Sequence, residues 1–149
     1  MTPFVTGGAG FLLSVLWFDL MFDVQVLGHR GDVPEEVVAS IAAYYRRVTT
    51  EARPMNRLVG AAMLGTLAAI ATQLARGDAP GWVGWASLVL AGAPIVLAAV
   101  HTFPAAVRLG AGAGEERLRI DTARAICRDQ LLCLASIASL LVVQLGFGR

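Results

Sequence analysis

The chain has 149 residues, of which 56% are hydrophobic and only 15% charged, with a mean hydropathy of +0.65. An ordinary soluble domain of this size has about a quarter of its residues charged, so the composition indicates an all-α polytopic membrane protein forming one integral domain over 1–149. A net charge of +1 provides no basic footprint for nucleic acid. All twelve cationic residues are arginine, and the lack of lysine rules out cofactors attached as a lysine Schiff base.

The first predicted span covers about 4–27, FVTGGAGFLLSVLWFDLMFDVQVL. A hydrocarbon core of about 30 Å needs about 20 apolar residues as helix, and this stretch provides them. Met1-Thr2-Pro3 has no basic character, so the span is expected to be a retained helix and not a signal peptide. Gly7, Gly8, Gly10 and Ser14 form a small-residue face for close helix approach. Asp19 and Asp23 lie four residues apart, on one helix face. A carboxylate at mid-span costs about 2.5 to 3.5 kcal/mol, so the pair should face the protein interior and find partners. The expected partner of Asp19 is an arginine from the start of the second or fourth span, among Arg57, Arg124 and Arg128, with Asp23 closer to water.

Between the first two spans the chain turns polar. Asp32 and Glu35 have capping-box spacing, and Val33, Val37, Ile41, Tyr44 and Val48 recur at helical period opposite Glu36, Arg46 and Arg47. The reading is an amphipathic helical connector that lies along the interface, packs on the bundle end, or is solvated.

Pro54 starts or kinks the second span, about 55–74, in which Ala61, Gly65 and Ala69 form a small-xxx-small ridge that predicts a central helix. A Gly/Pro turn, RGDAPG, follows, and Trp82 and Trp85 suit an interfacial aromatic belt. The third span, about 82–101, holds Pro94 and ends at His101. Gly110 to Gly114 reads as a flexible joint. The fourth span, about 131–147, extends towards residue 115, with Asp121, Arg124 and Arg128 spaced for helical ion pairs. Cys127 and Cys133 are six apart on that helix, roughly 9 Å along its axis, too far for a mutual disulfide, and read as apolar packing residues.

Arginine counts set an orientation. Arg30, Arg46, Arg47, Arg53 and Arg57 flank one loop and Arg108, Arg117, Arg119, Arg124 and Arg128 the other on the same side, against Arg76 and Arg149 opposite. The positive-inside rule then predicts an inner (plasma) membrane protein with both termini extracytoplasmic. That orientation puts Asp19, Asp23, Asn56, Arg57, His101, Arg124 and Arg128 in one leaflet, as a cytoplasm-facing polar pocket. His29 and His101 form a candidate metal or haem pair in the same leaflet.

At Arg53-Pro54-Met55-Asn56-Arg57, after a long connector in a chain with four spans, the layout resembles two groups. Met55-Asn56-Arg57 at the start of the second span resembles the four-helix bacterial proteins grouped with anthrone-oxygenase-like enzymes. The layout more distantly resembles the membrane-associated eicosanoid and glutathione metabolism superfamily. Here the arginine-to-asparagine spacing is one residue short and Val59 stands where that superfamily has glutamate, so glutathione binding is not carried over. Three functions stay open: an oligomeric bundle whose pocket binds or processes a small or lipophilic molecule among membrane lipids, a small cation- or proton-coupled transporter or channel using Asp19 and Asp23, and an accessory subunit docking a partner. The outer half of the first span has no ionisable group, which weighs against a continuous ion path. The residues name no cofactor and no reaction.

Overall fold

The computed structural model describes residues 1–29 and 31–148, leaving aside the side chain of Arg53. The orientation argument placed on Arg30, Arg149 and the Arg53 side chain therefore lies outside the described residues. Among the described residues all regular structure is helical: α1 (Thr2–Asp23), α2 (Glu35–Arg46), α3 (Arg53–Arg76), α4 (Gly81–Leu97), α5 (Phe103–Gly110) and α6 (Glu116–Phe147). Four stretches of the described residues are long and apolar enough to cross a bilayer: Thr2–Gly28, Pro54–Arg76, Gly81–Gly110 and Glu116–Phe147. The protein is a multi-pass membrane protein built as a four-helix bundle. Its spans carry large apolar side chains on the outside, among them Phe4, Trp17, Leu64, Trp85, Val89 and Leu145, as lipid contact requires.

Local chemistry sets the element ends. Pro3 and Pro54 sit in the first turns of α1 and α3, where a missing amide costs nothing. The helix α3 stops at Gly77 in the left-handed region (φ 66°), with the amides of Gly77 and Asp78 returning to the carbonyls of Leu74 and Gln73. The same closure ends α5, where Gly112 (φ 68°) and Ala113 bond the carbonyls of Leu109 and Arg108. The expected capping box is not formed. The helix α2 begins after Pro34 with no side-chain cap, and Glu35 and Glu36 in its first turn favour the positive end of the helix dipole.

Two further expectations are corrected. The third span does not end at His101: a π-helical turn, Ala98–Thr102, joins α4 to α5 in one continuous run to Gly110. The ridge of Ala61 and Gly65 is exposed, and the buried face of α3 is Thr66, Ala69, Ile70 and Gln73. The central element is α6, which packs on both α1 and α4, while α3 packs on α1 and α4 to close the ring. At 1.5 Å per residue the third and fourth spans reach about 45 Å, about 15 Å more than a hydrocarbon core. The surplus lies at the end carrying Arg108, Arg117, Arg119 and Arg124.

The bundle accordingly has two cores. One, within the membrane part, joins Val5, Ala9 and Leu12 of α1 with Ile70, Ala91, Ile137 and Leu140. There α1 approaches α3 so closely that a Cβ on Gly8 would overlap the Thr66 side chain. The other is a cap in which Val38, Ile41 and Tyr45 of α2 pack against Ala106, Leu109, Ala123 and Ile126. A Cβ on Gly110 would fall 2.7 Å from the backbone nitrogen of Arg46, so α5 receives the C-terminal end of α2 only because residue 110 is glycine. The amphipathic connector is thus a packed cap on the bundle end.

Candidate functional site

The acid pair lies where the cap meets the membrane core, and its partners come from two helices. Tyr44 of α2 donates its hydroxyl to Asp19 Oδ1 at 2.6 Å, and Gln130 of α6 donates Nε2 to Asp19 Oδ2 at 3.0 Å. One turn on, Tyr45 donates to Asp23 Oδ2 at 2.6 Å. Such short O–H···O contacts are the charge-assisted kind. Successive residues on α2 thus meet acids one turn apart on α1. Burial, reinforced by the neighbouring carboxylates, pushes both phenols above the ordinary tyrosine range, so they remain protonated donors.

The expected arginine partner of Asp19 is replaced by these two neutral donors. Arg124 reaches instead to the backbone carbonyls of His29 (3.1 Å) and Gly31 (2.7 Å), holding the chain that leaves α1. Arg57 and Arg128 are exposed. Long arginine side chains at a bundle end keep their heads in water and leave interior acids to shorter partners. The predicted order of burial is also reversed: Asp23 is fully buried, with Oδ1 lacking a partner among the described residues, and Asp19 is half-buried. The helical ion pairs expected of Asp121, Arg124 and Arg128 are not formed among the described residues, where Met1 N pairs with Asp78 and the His101 ring contacts Asp129.

Beside Asp19 lies a cavity of about 630 Å³ between the spans. Phe22 and Tyr44, stacked at 4.1 Å, border it, with Leu16, Val59, Met63 and Ile95 supplying apolar wall. Its polar lining includes Asp19, Asn56, Thr102 and Gln130. The site therefore unites all four predicted spans, α1, the start of the second span, the third span through Ile95 and Thr102, and the fourth span, and adds the connector tyrosines. Asp19 and Asn56 line the cavity; Asp23, Arg57, His101, Arg124 and Arg128 do not.

The histidines have separate neighbours. His29 Nδ1 lies 3.2 Å from the Gln25 carbonyl oxygen, whereas His101 Nδ1 is in direct contact with Asp129, which also accepts a bond from Thr102 at 3.1 Å. No group of three or more histidine, cysteine, aspartate or glutamate side chains is clustered for a metal ion among the described residues. Cys127 and Cys133 are free and buried on α6, in keeping with a packing role.

A second polar layer, absent from the sequence reading, crosses the far end of the bundle. Gln144 of α6 exchanges amide bonds with Gln73 of α3 at 2.9 and 3.2 Å and donates to Ser87 of α4 at 2.8 Å. Gln73 also donates to Thr2 at 3.2 Å, so all four spans are tied together. The signal was present as isolated glutamines within apolar spans, residues that seek interhelical bonds in a membrane. Comparison of the chain with protein-family models, with curated proteins and with solved structures finds no match.

Proposed function

We propose that this protein binds, and as an enzyme would process, a small lipophilic molecule in the cavity beside Asp19. The observation that carries the reading is the cavity itself. Its volume lies within the range of about 300–1,000 Å³ usual for small-molecule sites, and its lining is apolar with a few convergent polar groups. By the positive-inside rule the cap end, which carries Arg46, Arg47, Arg57, Arg108, Arg117, Arg119, Arg124 and Arg128, faces the cytoplasm of a plasma membrane, and the termini face outwards. The loose likeness of Met55-Asn56-Arg57 to anthrone-oxygenase-like proteins fits an aromatic or lipophilic ligand, because Met55 and Asn56 border the cavity.

A binding site is favoured over a transport path by what lies beyond it. The apolar core of Val5, Ala9, Ile70 and Leu140 and the hydrogen-bonded Gln73–Gln144 layer occupy the bundle between the cavity and its far end. An ion crossing there would leave Asp19 for a region without ionisable side chains.

The test uses Gly60, which lines the cavity on α3 and whose Cβ would meet nothing within 4 Å. Gly60→Leu should fill space without disturbing the helices. Native mass spectrometry of the purified wild type should show a retained lipophilic adduct that Gly60→Leu lacks. Identical bare spectra for both proteins, at equal thermal stability, would defeat the reading.

A further inference from the structure

We infer that the cavity selects a lipophilic cation, an amine or quaternary ammonium whose head sits at Asp19 against the Tyr44 and Phe22 rings. The inference rests on the proposed ligand site and names the chemical class it takes. Three observations converge on it.

The first is the state of the acid's hydrogen bonding. Both Asp19 oxygens already accept a bond, from Tyr44 and Gln130, so the carboxylate's call for donors is partly met while no cation among the described residues balances its charge. The second is the charge inventory of the layer. Asp23 adds a second carboxyl one turn away whose partner among the described residues is the Tyr45 hydroxyl. The nearby arginine of α6, Arg124, is bonded to loop carbonyls, and Arg57 and Arg128 are exposed at the bundle end. The third acid, Asp129, has its own histidine. A cationic head entering the cavity would therefore find negative charge that no cation among the described residues balances, in a low-dielectric setting where a charge pair counts for far more than in water.

The third observation is the wall. Phe18, Phe22, Tyr44, Tyr45 and Phe103 all border the cavity. Aromatic rings grouped beside a carboxylate are the kind of lining that recognises ammonium groups through cation–π attraction. The remaining aliphatic lining suits a hydrocarbon tail. An alcohol would gain only a hydrogen bond at a carboxylate already served by two donors, and a fatty acid would bring like charge to Asp19.

The test compares decyltrimethylammonium, decanol and decanoate on wild-type protein in nanodiscs, with Gly60→Leu protein in the same discs as the baseline for partitioning into lipid. Occupancy above baseline should be highest for the ammonium, by about tenfold over decanol, a modest share of what a close charge pair can supply. Asp19→Asn should reduce the ammonium to the level of decanol, and Asp19→Glu, which keeps the charge, should retain the preference. Decanol or decanoate equal to the ammonium on wild type would overturn the cationic assignment while leaving the cavity as a ligand site. Signals at baseline for all three probes would also count against the cavity reading. An ammonium preference that survives Asp19→Asn would overturn the role of Asp19. The wild-type series decides the charge preference whether or not the asparagine variant assembles.

Discussion

Two polar layers cross this bundle, and they differ in how completely they are satisfied. At the far end Thr2, Gln73, Ser87 and Gln144 link all four spans through neutral groups that pair with one another. At the cap end Asp19 and Asp23 are held by Tyr44, Tyr45 and Gln130, yet one Asp23 oxygen lacks a partner and a cavity opens at Asp19. The contrast teaches that a closed neutral network is a fastening, whereas carboxyls left with charge and space beside them form a site. Variants of the first layer should therefore reduce stability without altering ligand selection, and variants of the second should do the reverse.

The largest effect is expected at the fastening. Gln144→Ala removes the donor to Ser87 and both bonds to Gln73, leaving buried polar groups unpaired around a new void, at a cost of about 3 kcal/mol. Unfolding in mixed micelles should show the loss, with the ammonium-over-decanol ratio unchanged. A changed ratio would erase the distinction between the layers. Next, Gly110→Ala drives a Cβ into the Arg46 backbone, which cannot give way as a side chain could, and should cost about 2 kcal/mol. Because that contact seats α2, hydrogen exchange along Glu35–Arg46 should rise more than in α3. Uniform acceleration would show that the cap does not open separately.

Much of this arrangement could be read from the residues. The four spans, the interior acid pair and the amphipathic connector all follow from apolar length, four-residue spacing and helical period. The identity of the acids' partners does not, because opposite charge makes arginine the natural expectation. Arginine fails in this role for a physical reason: at the bundle end its head can stay hydrated and bind exposed carbonyls, as Arg124 does. On the connector Tyr44 reads as apolar surface, and Tyr45 stands outside that periodic face. Their hydroxyls matter only because α2 folds back on α1 and brings residues 22 and 25 apart in sequence into contact. Gln130 is 111 residues from Asp19, a pairing that local pattern does not encode. The glutamine layer escaped because a hydropathy window scarcely registers one amide among many leucines.

A smaller change in stability is expected from Asp19→Asn. The amide oxygen can still accept from one of the two donors, so the cost should be about 1 kcal/mol, while the ammonium preference over decanol is lost. A stability loss as great as that of Gln144→Ala would make the acid a fastening too.

The smallest effect separates the two tasks of one side chain. Tyr44 gives Asp19 a hydrogen bond through its hydroxyl and gives the cavity a wall through its ring, stacked on Phe22 with an interplanar angle of 11°. Tyr44→Phe keeps the stack and leaves Gln130 as the donor to Asp19, so stability should fall by about 0.5 to 1 kcal/mol, the usual net worth of one hydrogen bond. The vacated Asp19 oxygen is then open to the hydroxyl of decanol, whereas a trimethylammonium head has no N–H to donate. The ammonium-over-decanol ratio should therefore fall, and Tyr44→Leu, which also removes the aromatic face, should lower it further. Equal ratios in the two variants would mean that the ring contributes nothing to recognition and that the carboxylate alone distinguishes the cap-end layer from the glutamine layer.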